Sequence, residues 1–211
     1  MIALFDLDGT LCDTSPGVLS SLENALAQCG IPCPDRMERF IGPPLVPAVM
    51  EFCAVSRDRA QAVLAAYRRF YTGGGMRLTT VYPGVPELLR TLTDHGIRCH
   101  VATSKPEEFA LRIMEHFGLA AYFHRICGAQ REDRASAQKG SVVADALRRS
   151  GTDGPAVMVG DRRFDIAGAH ENGLPAIGVL YGYGGREELE NAGADYLAAD
   201  LHELKQLLLQ E

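Results

Sequence analysis

No stretch of the sequence approaches the roughly 20 apolar residues that a membrane-spanning helix requires. The N-terminus has no basic region ahead of its apolar run and carries acids at Asp6 and Asp8, so no secretory signal is expected and the cytoplasm is the expected compartment. Basic charge is in deficit: 21 Lys and Arg stand against 27 Asp and Glu, a formal charge of -6. That balance argues against a general nucleic-acid surface, while a local basic pocket for a small anion stays open. The six cysteines, at 12, 29, 33, 53, 99 and 127, show no disulfide pattern beyond the close pair Cys29 and Cys33. Most lie in apolar or helical stretches and read as reduced core residues, with neither disulfides nor zinc expected. Internal repeats and low-complexity tails are absent. Tyr181-Gly182-Tyr183-Gly184-Gly185 is rich in glycine but lacks the dinucleotide fingerprint and its place after an early strand, so it reads as loop packing.

What is present suffices for one substantial core and a small accessory domain: 211 residues, 46% of them hydrophobic. The most informative stretch comes first. Ile2-Ala3-Leu4-Phe5 is a short buried strand in pattern, and it ends abruptly in Asp6-Leu7-Asp8-Gly9-Thr10-Leu11. Two carboxylates at the lip of a sheet are costly to bury without a counter-charge, which makes a cation their natural partner. Taken alone, Asp-x-Asp fits a solvated strand end equally well.

From Asp13 to about Thr80 the sequence carries helical patterns and no convincing strand. Leu19, Leu22, Leu26 and Ile31 mark one face, with Asp13, Thr14 or Ser15 available as a cap, Pro16 in the first turn and Gly30 as the stop. Further patterns run over 34–41, 45–55 and 58–71, closed by Gly73-Gly74-Gly75. Helices without strands do not belong inside a parallel sheet, so this segment is expected as a separate helical insertion. Arg39 in the stretch Arg39 to Leu45 is open to two readings, an anion contact or a solvated helix charge. Tyr67, Arg68, Arg69, Tyr71 and Arg77 are equally ambiguous.

After the breaker Tyr82-Pro83-Gly84, strand and helix patterns alternate. A helix carrying Leu88, Leu89 and Leu92 precedes a strand over 97–102 that tolerates Arg98 and His100. Thr103-Ser104-Lys105-Pro106 follows. A helix over 107–116, a strand over 122–127, a helix from Ser141, a strand over 156–159, a strand over 176–180 and a closing helix over 201–209 complete the series, with an edge strand expected near 195–197. Such alternation describes a mostly parallel sheet whose carboxyl edge forms the ligand crevice. Asp161 and Asp165, four apart after a strand and Gly160, can converge at a helix entry, where hard oxygens suit magnesium. Lys139 by itself reads as a surface lysine.

In order along the chain, Phe5-Asp6-Leu7-Asp8-Gly9-Thr10-Leu11, Val101-Ala102-Thr103-Ser104-Lys105, Lys139 and Gly160-Asp161 through Asp165 resemble the four motifs of the haloacid dehalogenase superfamily. The resemblance implies a three-layer, Rossmann-like α/β core of residues 1–13 and 81–211, interrupted by a four-helix cap at 14–80. It implies a magnesium-dependent phosphomonoester hydrolase. Asp6 is the implied nucleophile, passing through an aspartyl phosphate, and Asp8 the general acid and base. Thr103 and the Ser104 backbone amide are the implied phosphate binders, and Lys139 the implied lysine that neutralises the nucleophile and phosphate. Asp6, Asp161 and the Asp8 backbone carbonyl are the implied Mg2+ ligands, with Asp165 supporting the ion directly or through water. Lys105 is not the implied catalytic lysine; Arg131 and Arg134 are candidate electrostatic helpers, and Arg162 has no fixed role. Asp8 speaks against the dehalogenase reaction, because dehalogenases of the superfamily lack this acid/base arrangement.

The expected partner is a small phosphorylated metabolite, with no nucleic-acid polymer, no membrane and a choice between monomer and homodimer left open. Phe40 to Leu45, Val101 to Pro106 and Gly178 to Gly184 resemble bacterial proteins grouped with phosphoglycolate phosphatases, some of whose relatives are 5'-nucleotidases. Phosphoglycolate is therefore the first expectation, with Arg39 a candidate for its carboxylate or phosphate, and nucleoside monophosphates are the second. A phosphosugar mutase is less well supported, since no histidine occurs between 14 and 80. A phosphate-binding module without catalysis is the alternative of a different class, and the full set of acids argues against it.

Overall fold

A computed structural model describes residues 1–130, 138–151 and 154–210. The chain divides into two compact units, Met1–Cys12 with Val81–Glu211, and Asp13–Thr80. Strand β1 (Ile2–Phe5) opens the first unit, and the short β2 (Cys12–Asp13) leads out of it.

The inserted unit holds α1 (Ser15–Gln28), α2 (Leu45–Phe52) and α3 (Arg57–Gly73), with 3₁₀ turns at Met37–Phe40 and Gly75–Leu78. Asp13 supplies the entry to α1: its Oδ1 accepts bonds from the Ser15 amide at 3.0 Å and the Ser15 hydroxyl at 2.6 Å. The pattern expected over 34–41 yields a 3₁₀ turn instead of a fourth α-helix. Pro34 there lacks an amide donor, and the run before Gly42-Pro43-Pro44 is too short to repay helix nucleation. The unit has its own core, in which Leu22, Leu26, Phe40, Val49, Ala60 and Val63 are buried together. Arg39 stacks its guanidinium 4.0 Å from the centroid of the Phe52 ring.

The chain returns through β3 (Thr80–Val81), which pairs with β2 as a two-stranded ribbon. There follow α4 (Val85–Asp94), β4 (Arg98–Pro106), α5 (Glu107–His116), β5 (Phe123–Ala129) and α6 (Lys139–Ser150). Then come β6 (Ala156–Gly160), α7 (Arg163–His170), β7 (Ala176–Val179), α8 (Arg186–Asn191), β8 (Tyr196–Ala198) and α9 (Leu201–Leu209). The main sheet has the order β5-β4-β1-β6-β7-β8, with all neighbours parallel. Its central strands are buried along their length, as expected where helices cover a parallel sheet.

Strand β1 is the centre of this arrangement. The chain adds β4 and β5 on one side, then crosses to add β6, β7 and β8 on the other, so the topological switch lies beside β1. Phe5 is level with Val101 and with Val159, which puts Asp6, Thr103 and Asp161 one or two residues past the paired rows at the carboxyl edge. Strand β4 extends through Ser104, Lys105 and Pro106, further than the apolar pattern indicated, because the Thr103 to Pro106 segment continues to pair with β5 across a register shift. His100 is fully buried within β4, and neither ring nitrogen has a hydrogen-bond partner among the described residues. Burial, with the nearby charges of His124, Arg98 and Arg125, pushes it down to about 4, so it packs as a neutral ring.

Candidate active site

Three carboxylates converge at the carboxyl edge: Asp6 after β1, Asp161 after β6 and Asp165 in the first turn of α7 are all buried. They offer oxygens that lie within 4.8 Å of one another. Each is aimed by local backbone. The Asp6 amide donates to Val159 O at 2.9 Å, which seats the residue at the β1–β6 switch. Asp161 is held at both oxygens, by the Thr10 hydroxyl at 3.2 Å and the Tyr183 amide at 2.7 Å. Asp165 accepts the Arg162 amide at 2.9 Å across the entry to α7. Close packing enforces the geometry. Gly9 has φ +84°, and a Cβ there would run into the Asp161 carboxylate; one on Gly160 would run into that of Asp165.

Lys139 is the first residue of α6, and its side chain is only 4% exposed. Its Nζ lies 2.8 Å from Asp6 Oδ1 and 2.6 Å from Asp165 Oδ1, and it donates to Ala102 O at 3.0 Å. The surface reading of this lysine therefore fails: a buried ammonium at the start of a helix is tolerated here because two carboxylates and a carbonyl surround it. Burial favours its neutral form, but Asp165 and Asp6 outweigh that and hold it above the ordinary lysine range.

A second lysine, which the motif comparison set aside, faces the other acid. Lys105 Nζ donates to both Asp8 oxygens at 2.9 Å. Thr103 is 1% exposed and its Oγ1 accepts the Lys105 amide at 3.2 Å, so β4 presents both side chains from one short turn of backbone. The sequence alone gives neither Lys105 nor Tyr183 a site role, because each meets its partner across many residues of chain. The one local signal was the position of Lys105 two residues after Thr103. Arg162, to which the motif gives no fixed role, pairs through Nε with Glu188 at 2.9 Å. Arg131 and Arg134 lie outside the described residues. Arg39 is packed on Phe52 in the inserted unit.

Among the described residues the site carries more acid than base. Four carboxylates (Asp6, Asp8, Asp161 and Asp165) face the two ammonium groups of Lys105 and Lys139. Burial, with Asp165 and Asp8 opposing the pull of Lys139, raises Asp6 to about 6. Burial, followed by repulsion from Asp165 and Asp6, raises Asp161 to about 8 despite the Tyr183 amide. Charges this frustrated call for a divalent cation, and hard carboxylate oxygens in this number fit Mg2+. The cluster is of the kind typical of magnesium-binding haloacid dehalogenase-like enzymes.

Comparison with known proteins agrees with this geometry. The family model described as haloacid dehalogenase-like hydrolase matches residues 3–179, and the chain belongs to that family. Among curated relatives, a 5'-nucleotidase of Pseudomonas aeruginosa is 39% identical over 97% of this chain and 94% of its own length. The tyrosine-protein kinase PtkA of Mycobacterium tuberculosis is 34% identical over 98% of this chain and 72% of its own length. A plasmid-encoded phosphoglycolate phosphatase of Cupriavidus necator is 32% identical over 97% of this chain and 91% of its own. A crystal structure from Clostridium acetobutylicum, described as a predicted phosphatase, superposes with TM-score 0.92 at 38% identity, covering 100% of this chain and 98% of that one. Fold, acidic cluster and relatives together define a phosphomonoester hydrolase of the haloacid dehalogenase type.

Proposed function

We propose that the protein is a magnesium-dependent 5'-nucleotidase that hydrolyses nucleoside monophosphates through an aspartyl phosphate on Asp6. The observation that carries the substrate assignment is the 39% identity to a 5'-nucleotidase over nearly the full length of both chains, against 32% for the phosphoglycolate phosphatase. That difference reverses the order of preference drawn from the resemblance of Phe40 to Leu45, Val101 to Pro106 and Gly178 to Gly184; the catalytic motifs, which both substrate classes share, set no order.

In this reading an Asp6 oxygen attacks phosphorus in line with the ester oxygen, and the P–O bond to the nucleoside breaks as the Asp6–phosphorus bond forms. Asp8 gives its proton to the departing oxygen. It then takes a proton from the water that attacks phosphorus, regenerating Asp6 and releasing inorganic phosphate. Lys139 stays at the charge that develops on the transferring group, and Thr103 with the Ser104 amide orients its oxygens. Mg2+ would be held by Asp6, Asp161 and Asp165 with the Asp8 carbonyl, and when bound it supplies electrostatic stabilisation of phosphoryl charge.

A panel of monoesters tests the substrate. The expected result with saturating Mg2+ is a kcat/KM for at least one nucleoside 5'-monophosphate about tenfold or more above that for phosphoglycolate. The reverse ranking rejects the nucleotidase reading in favour of a small acid.

The raised carboxyl groups also make metal binding pH-dependent. Asp6 and Asp161 bind protons more tightly folded, near 6 and 8, than at the ordinary value of 3.8, so between those limits the folded state holds more protons. Stability of the metal-free protein then falls as pH rises through that window. A cation that takes the place of those protons stabilises most where they are absent. Added Mg2+ is expected to raise Tm more at pH 8 than at pH 5; an equal gain at both, read by calorimetry, sinks the assignment of these acids as ligands.

A further inference from the structure

We propose that Lys105 is the positioning residue for the acid that protonates the leaving group. This rests on the reading of Asp8 as general acid and extends it to a residue whose motif position carries no assigned role. Asp8 stands at the start of the turn after β1 and is partly open to solvent, with a side chain 21% exposed, so a free carboxylate there would sample several orientations. Lys105 removes that freedom. Its Nζ sits at the same 2.9 Å from both Asp8 oxygens, a symmetric grip that fixes the plane of the carboxyl group.

The grip is itself anchored. The Lys105 side chain is only 6% exposed, its backbone lies in β4, and its amide is tied to Thr103 Oγ1 at 3.2 Å. The orientation of Asp8 is thereby referred to the same strand end that carries the phosphate-binding hydroxyl. Lys139 cannot substitute, because its ammonium is committed to Asp6, Asp165 and the Ala102 carbonyl. The two lysines divide the site: one serves the nucleophile, the other the acid.

The reacting bonds supply a test that a merely structural lysine would not pass. Cleavage of an alkyl phosphate transfers the Asp8 proton to an alkoxide oxygen as the P–O bond breaks. Cleavage of p-nitrophenyl phosphate releases a stabilised phenolate that needs no proton. The quantity kcat/KM reports steps up to release of that leaving group, so the later water-activating duty of Asp8 does not enter it. Loss of a positive charge near the phosphate weakens both substrates alike and cancels in their ratio.

For Lys105→Met, the expected result is a loss of about 10²-fold in kcat/KM for adenosine 5'-monophosphate, exceeding the loss for p-nitrophenyl phosphate by at least about tenfold. Lys105→Arg should restore most of the difference, and Lys105→Gln serves as the neutral variant should the methionine form melt early. Asp8→Asn is measured beside them. If Asp8→Asn discriminates between the two substrates and the neutral Lys105 variants lose equally on both, the proposal is overturned and Asp8 keeps its role. If Asp8→Asn does not discriminate, the acid assignment fails first and the proposal falls with it.

Discussion

Asp6→Asn should leave a folded protein whose release of phosphate from any monoester is lower by about 10⁴-fold or more. The carboxylate is the attacking group in the proposed mechanism, and a carboxamide oxygen is too weakly nucleophilic to form the covalent intermediate; removal of a nucleophile costs on this order or more in other covalent hydrolases. The substitution is nearly isosteric and should not unfold the site. Burial and the neighbouring acids make the ionised Asp6 costly, so a neutral amide relieves repulsion among the carboxylates, and Asp165 still holds Lys139 at 2.6 Å. Metal-free Tm at pH 8 is therefore expected to match or exceed that of the unaltered protein. Initial rates at saturating Mg2+, with melting curves on the same samples, make the check, and turnover within about tenfold of the unaltered enzyme would reject Asp6 as nucleophile.

Lys139→Met should be the most damaging single change to stability. It deletes a buried cation that pairs with Asp6 and Asp165 and satisfies the Ala102 carbonyl. Removing one member of a buried ion-pair network costs about 3 to 5 kcal/mol, because the charges left behind stay desolvated. For a protein of this size that corresponds to a Tm lower by about 6 to 20 °C. The sign of the pH dependence follows from the acids. Without the lysine their carboxyl groups are pushed further above the unfolded value, so the destabilisation grows as pH rises and they ionise, and shrinks toward pH 5. Turnover should fall by about 10³-fold, since a positive group aimed at developing phosphoryl charge is lost. An unchanged metal-free Tm at pH 8 would contradict the ion-pair geometry directly.

These two effects differ in how far they could be read in advance. Asp6 was half legible from its own surroundings: an apolar run that stops in Asp-x-Asp-Gly predicts a strand with carboxylates at its end, and the motif resemblance was needed to separate a site from a solvated strand end. Lys139 was not. Nothing in Gln138-Lys139-Gly140 distinguishes a buried lysine from a solvated one, and it entered only through the order of motifs. Its burial depends on β1 and α7 bringing Asp6 and Asp165 to it from opposite directions of the chain. The substrate ranking shows a different limit, since motifs that bind phosphate carry no information about the rest of the ester, and comparison along the whole chain altered the preference.

By itself the sequence determined the alternation of strands and helices, the helical insertion at its place after β1, and the acidic residues that end two strands. These are local properties: apolar runs of strand length, helical periodicity, glycine and proline breaks. Only the tertiary structure decided which of the charges meet. It set Lys105 on Asp8 across 97 positions of sequence, Tyr183 on Asp161 across 22, and gave Lys139 two acids to share. The physical reason is that a charge's partner is fixed by sheet order and strand register, which no single stretch of chain contains.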